Sequence, residues 1–276
     1  MKSILTKMAL IALLLPFISL SNIFAQGFNV NVSDEKQTDK SIDIYTTNSY
    51  PCPVTLKISF QNLKNICDAE ERTFLVEANT QRKMLFKIKQ CDINKAYSYN
   101  YKFKYYYGDV SLSKYDADFQ YDLPYKKGEN YEVVQGYFGA FSHQEDYALD
   151  FDMPQGTNVC AIRDGVVLLL KENSNVGGAN KKFYNDANYV LVYHNDGTMA
   201  NYAHFKQNGI VVKLGDNIKK GDLIGYSGNT GFSSAPHLHL DVCLPYIDKK
   251  KTISTKFLLK DNKLEVLKVN QKYIKP

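Results

Sequence analysis

The sequence predicts an all-β protein in two parts, an N-terminal β-sandwich of immunoglobulin-like type followed by a C-terminal antiparallel β domain. Three observations carry this expectation. Short apolar and aromatic runs with period-two alternation recur along the chain, separated by polar turns rich in Gly, Asn and Asp. No stretch beyond residue 25 keeps a 3.6-residue apolar period over a useful length. At Asp122-Leu123-Pro124-Tyr125-Lys126-Lys127-Gly128-Glu129 the pattern breaks with proline, glycine and charge, dividing 276 residues into units of 26–125 and 126–276, each able to bury a core.

Residues 1–25 carry Lys2 and Lys7, then an apolar run from Met8 to Leu20, then Ser21-Asn22-Ile23-Phe24-Ala25. The run is short for a membrane span and small residues follow it, so a secretory signal peptide cut after Ala25 is expected, with an uncleaved anchor as the alternative. No second long apolar segment follows, so no transmembrane segment is expected in the mature chain, and a periplasmic or extracellular location is. Removing the leader lowers the formal charge from +5 to +3, since 32 basic residues then face 29 acidic ones. So mild an excess fits an ordinary solvated surface and implies no nucleic-acid partner.

From Phe28 to Tyr125, strands are expected at Ser41 to Tyr45, Val54 to Phe60, Thr73 to Glu77, Met84 to Ile88 and Tyr97 to Tyr107. Spacing of this kind suits a sandwich. In the last of them Tyr97, Tyr99, Tyr101, Phe103 and Tyr105 alternate with Ser98, Asn100, Lys102 and Lys104, which reads as a core face rather than a glycan-stacking stripe. Among Cys52, Cys67 and Cys91 one disulfide is plausible in an exported protein, without a readable connectivity. Cys160 and Cys243 lie in apolar runs and are expected to be buried thiols.

After the break come strands at Tyr147 to Phe151, Asn158 to Ile162 and Val166 to Leu170, then a polar excursion from Glu172 to Asn188 that suits a cleft wall. Asn188 to His194 and Met199 to Phe205 flank Asn195-Asp196-Gly197, a hairpin signal because Asp-Gly supplies positive φ. Further tight turns follow at Leu214-Gly215-Asp216 and Lys219-Lys220-Gly221-Asp222, and a last hairpin around Asp261-Asn262.

The chemistry concentrates at Pro236-His237-Leu238-His239-Leu240, behind the Gly-rich Gly225-Tyr226-Ser227-Gly228-Asn229-Thr230-Gly231. On a strand His237 and His239 share a face while Leu238 and Leu240 point into a core. The chain has five histidines, and two of them stand here. Paired strand histidines in an exported protein suit a metal. A catalytic zinc takes three protein ligands and keeps a position open. His239 is one candidate ligand, and His143 and Asp150, each at the edge of a β-run, are the upstream candidates.

The order Tyr147-Ala148-Leu149-Asp150-Phe151, Asp164-Gly165-Val166-Val167, Tyr202-Ala203-His204, Gly228-Asn229-Thr230-Gly231 and Pro236-His237-Leu238-His239 resembles the lysostaphin/LytM-type zinc metallopeptidases, over about Gly136 to Val242. The resemblance implies a duplicated-hybrid-motif-like β domain, zinc as cofactor, metal ligands at His143, Asp150 and His239, and catalytic histidines at His204 and His237. It implies an endopeptidase whose partner is the peptide stem or crosslink of bacterial peptidoglycan. Alternatives are a catalytically inactive module of the same shape that binds cell-wall peptide or activates another hydrolase, and a secreted protease against Gly-rich proteins or rival cell walls. One departure stands out: the family's upstream histidine lies four residues before the aspartate, whereas position 146 is Asp146 and His143 lies seven before Asp150. Asp146 is therefore the fallback ligand. Tyr137 is read as core packing rather than an oxyanion donor, and His194 as a surface or structural residue.

Overall fold

The computed structural model describes residues 27–276, so the expected leader, Met1 to Ala25, lies outside the described residues. Among the described residues, apart from two 3-10 turns, Lys181–Asp186 and Lys260–Asn262, the regular elements are strands.

Two antiparallel sheets form the N-terminal part. One is ordered Val30–Lys36, Ile42–Asn48, Thr80–Gln90, Ile66–Cys67, the other Arg72–Val76, Val54–Lys64, Ser98–Tyr107. Ile42, Ile44 and Ile88 of the first sheet and Leu56 and Ile58 of the second are fully buried in one shared core. The tyrosine stripe packs against that core through Tyr97, Tyr99, Tyr101, Phe103 and Tyr105, while Ser98, Asn100, Lys102 and Lys104 face solvent. Cys67 and Cys91 form the disulfide, and Cys52, Cys160 and Cys243 are buried free thiols.

The C-terminal part is built on a nine-stranded sheet. Its order is Asn217–Ile218, Gly165–Lys171, Tyr189–Tyr193, Met199–Ala203, Leu238–Leu244, Ala148–Phe151, Asn130–Gln135, Lys272–Ile274, with Lys251–Thr252 added beside Leu238–Leu244. A three-stranded sheet, Asn158–Cys160, Leu223–Ser227 and Phe205–Ile210, contributes Val159, Ile224 and Phe205 to the same core as the large sheet. Within strand Leu238–Leu244, the residues Leu238, Leu240, Val242 and Leu244 enter this core, as period-two alternation requires. His239, Asp241 and Cys243 therefore project from the opposite face.

That opposite face is divided between two uses. Cys243, its cross-strand partner Met199, and Leu168 join the N-terminal core, so the sandwich packs on one end of the sheet. His239, four residues earlier on the strand, stands at the other end. Between the two, Tyr105, Tyr107, Tyr189, Tyr246 and Lys250 line a cavity of about 390 Å³.

The structure adds three details to the expected antiparallel β architecture. The C-terminal part is not wholly antiparallel: Gly177–Gly178 pairs in parallel with Gly231–Phe232, and Lys256–Leu258 with Gln120–Tyr121. Both are two-residue contacts made by long connections lying back on the body, which alternation cannot foretell. The polar excursion is correspondingly not a bare loop, since it contains Gly177–Gly178 and the 3-10 turn. The compositional break at 122–129 also falls inside the second core rather than ahead of it, because Tyr121, Leu123 and Tyr125 are buried there with Phe151 and Phe257.

Candidate metal centre

One row across the sheet sets the centre. Asp150 pairs with His239 on one side of it, Ala203 pairs with His239 on the other, and Gln135 pairs with Asp150. Cross-strand partners stand about 5 Å apart with side chains on one face, so Asp150 and His239 meet without help from any loop. Asp150 Oδ1 lies 3.0 Å from His239 Nδ1. Gln135 donates its Nε2–H to the other carboxylate oxygen at 2.7 Å.

His143 reaches the row by a compact turn. Its backbone N–H donates to Gly139 O at 3.0 Å, and Asp146 N–H returns to His143 O at 2.9 Å. Phe138 takes a left-handed φ of +58° and donates to Asp146 O at 3.0 Å. The turn absorbs the three extra residues between histidine and aspartate and puts His143 Nε2 at 3.2 Å from Asp150 Oδ1 and 3.1 Å from His239 Nδ1. His143, Asp150 and His239 form a group able to hold a metal ion, their donor atoms all within 4.8 Å of one another. Asp146 stands apart and accepts from Thr252 Oγ1 at 3.2 Å.

The other two expected residues flank this group. His204 follows strand Met199–Ala203 at the corner where the chain leaves the large sheet for Phe205–Ile210, and its φ of +69° makes that corner. A buried non-glycine residue held left-handed is strained by about 1–3 kcal/mol, tolerated only where its surroundings fix it. Here Thr230 O fixes it, accepting from His204 Nδ1–H at 2.6 Å. Thr230 is braced in turn by Asn188, whose backbone N–H donates to Thr230 Oγ1 at 3.0 Å at the end of the polar excursion. His237 pairs with Gly228 just before its strand begins, and its Nε2 lies 3.7 Å from Asp150 Oδ1. The His204 and His237 ring centroids are 4.5 Å apart, those of His204 and His239 5.9 Å.

Each of the four imidazoles has one nitrogen engaged away from the centre. His143 Nδ1 faces Gly136 O at 3.1 Å, His204 Nδ1 faces Thr230 O, His237 Nδ1 faces Ala235 O at 2.8 Å, and His239 Nε2 faces Asp241 Oδ2 at 3.1 Å. A carbonyl or carboxylate only accepts, so each outer nitrogen carries a proton, and a ring in its neutral form then presents its inner nitrogen as a lone pair. Two inward lone pairs and one carboxylate make a donor set that fits a divalent metal.

Burial sets the electrostatics. It opposes ionisation of Asp150, yet hydrogen bonds from His143 and His239 hold that carboxyl well below the usual carboxylate range. Burial pushes His204 down to about 3, helped by the neighbouring histidines, and lowers His237 as well. His239 goes the other way: burial would lower it, but bonds to Asp150 and Asp241 raise it to about 9 in the absence of a metal.

Tyr137 and His194 take no part. The Tyr137 hydroxyl is engaged with Thr255, accepting its backbone N–H at 2.8 Å, and its ring packs edge-on against Tyr147. His194 is fully buried rather than on the surface, its Nδ1–H donating to Asp164 O at 2.8 Å beside the Asn195-Asp196-Gly197 turn. Sequence reading overlooked Gln135, Asn201, Asp241 and Lys250. Asp241 had a signal, because the alternation that pairs His237 with His239 continues two residues further.

Residues 144–252 match Peptidase family M23, a segment that begins one residue after His143. Over 116 residues the chain is 38% identical to the glycyl-glycine endopeptidase ALE-1 of Staphylococcus capitis, covering 42% of this chain and 28% of that protein. Over 93 residues it is 38% identical to the peptidoglycan DD-endopeptidase ShyA of Vibrio cholerae serotype O1, covering 34% of this chain and 19% of that protein. This chain thus spans less than a third of the length of either relative. The catalytic domain of the antimicrobial peptidase lysostaphin from Staphylococcus simulans shares 31% identity over 45% of this chain and 87% of its own, with a TM-score of 0.34. Over residues 144–252 the chain thus matches Peptidase family M23, and the relatives it is similar to there include lysostaphin of Staphylococcus simulans.

Proposed function

We propose that the protein is an exported zinc endopeptidase that hydrolyses peptide crosslinks of bacterial peptidoglycan. The observation that carries the reading is the convergence of His143 Nε2, Asp150 Oδ1 and His239 Nδ1, with His204 and His237 beside them. The substrate class is supported by relatives named for glycyl-glycine and peptidoglycan endopeptidase activity.

Zinc held by these three donors would polarise a peptide carbonyl and acidify water at the site. The chain's own residues move the protons. His237 commits Nδ1–H to the Ala235 carbonyl, so its neutral ring offers Nε2 as a base. It takes a proton from the attacking water, and the resulting imidazolium returns that proton to the departing amine nitrogen. His204 is kept neutral by burial and commits Nδ1–H to Thr230, leaving Nε2 able to accept but not to donate. Of the two roles open to it, this supports orienting the water over donating to an oxyanion. The Phe141 and Phe232 rings, stacked at 5.0 Å, add an aromatic face close to His143 and Thr230 in sequence.

The test is digestion of purified peptidoglycan with and without a chelator, the fragments identified by mass spectrometry. Crosslink cleavage that the chelator abolishes and zinc restores is the expected result. Zinc retention with no fragments would make the chain a binding module. Cleavage of free glycine-rich peptides without release of crosslinks would make it a secreted protease of another kind. Export is tested by N-terminal sequencing of protein recovered outside the cytoplasm, with Gln26 expected first.

A further inference from the structure

We propose that Asp241 is a positioning residue for His239, held in place by Lys250 and Asn201, and that zinc retention depends on it. The proposal rests on the metal reading of His143, Asp150 and His239. Asp241 lies two residues beyond His239 on the same strand, so alternation places both side chains on one face. Its Oδ2 accepts from His239 Nε2 at 3.1 Å. Asn201, the cross-strand partner of Asp241, donates Nδ2–H to the same oxygen at 2.9 Å, and Lys250 forms an ion pair with it. Asp241 is 2% exposed, and its Oδ1 is buried without a hydrogen-bond partner.

His239 differs from its neighbours in a way that explains this arrangement. His143, His204 and His237 sit on turns or strand ends, where a free backbone carbonyl is at hand for the outer nitrogen. His239 sits inside a central strand paired on both sides, with Ala148–Phe151 and with Met199–Ala203. Backbone acceptors there are spent on the two ladders, so a side chain has to supply the acceptor. A carboxylate does more than a carbonyl: it fixes the Nε2–H tautomer and raises the basicity of Nδ1, the nitrogen that faces Asp150. Burying a carboxylate beside a half-buried lysine is costly, and an apolar pair of similar volume is often as stable. Three donors on one oxygen, with the other left bare, suit a carboxylate aimed for His239 better than one placed for stability.

The experiment measures zinc affinity of the full chain by competition with a chromophoric chelator. Asp241→Leu combined with Lys250→Met replaces the ion pair by apolar groups and avoids leaving a half-buried lysine without its partner. The double variant is expected to bind zinc about tenfold to a hundredfold more weakly than the wild type. In zinc-loaded wild-type protein, the His239 Nε2 proton is expected as a downfield, exchange-protected NMR signal. Wild-type affinity in a folded double variant, or a rapidly exchanging Nε2 proton in the wild type, would overturn the proposal. If His239→Ala itself retains zinc, the metal reading is what has failed.

Discussion

His143 Nε2 lies 3.2 Å from Asp150 Oδ1 although seven residues separate the two, because the turn from Gly136 to Asp146 folds the extra length away from the centre. In the same turn Asp146 is directed to Thr252 and not to the centre. His143→Ala is therefore expected to lose bound zinc and Asp146→Ala to keep it, as elemental analysis of dialysed protein would show. The reverse pattern would place the metal on the fallback ligand.

His237 and His239 share a strand face but have different neighbours, which separates their predicted variants. His239→Ala should abolish zinc retention. His237→Ala should keep zinc stoichiometry while turnover of a crosslinked peptide falls by about 10²–10⁴-fold, the range of a lost general base. Near-normal turnover in the second variant would remove His237 from the proton-transfer role.

His194 gives a pH signature remote from the centre. It is fully buried, its Nε2 has no partner, and burial depresses its pKa from 6.5 to about 4. The folded protein thus resists protonation that the unfolded chain accepts. The contribution to stability is complete above about pH 6.5 and is lost as pH falls toward 4, by roughly 3 kcal/mol in all. Urea unfolding of the wild type and of His194→Asn at pH 7 and pH 4.5 should show a smaller pH effect in the variant. Parallel behaviour would mean that His194 does not titrate across that window.

Gly228 is a position where close approach, not turn geometry, demands glycine. A Cβ there would lie 2.3 Å from Lys206 N and 2.6 Å from Lys206 Cα, both backbone atoms that cannot swing aside. The neighbouring strand must shift, at a cost of about 1–3 kcal/mol. Because Gly228 pairs with His237, Gly228→Ala should lower both the urea midpoint and turnover while zinc, held elsewhere, remains bound. Unchanged turnover would show that the His237 strand end tolerates the shift.

What the sequence determined by itself was whatever short-range alternation and turn chemistry control. The strand character of Tyr97 to Tyr107, the Asp-Gly hairpin and the shared face of His237 and His239 all follow from a period of two and from residues that permit positive φ. The five residues expected at the centre are drawn together at one end of the large sheet. Sequence also exposed the odd spacing of His143, but not how it would be met, since turn geometry depends on contacts such as Phe138 to Asp146. Only the tertiary structure decided which groups surround the histidines. The pairing of Asn201 with Asp241, the reach of Lys250 from a later segment and the Thr230 carbonyl beneath His204 are long-range meetings that no local pattern encodes. The same holds for the N-terminal sandwich lying on the far end of the histidine face, because that contact joins Met199 and Cys243 to a core built more than a hundred residues earlier.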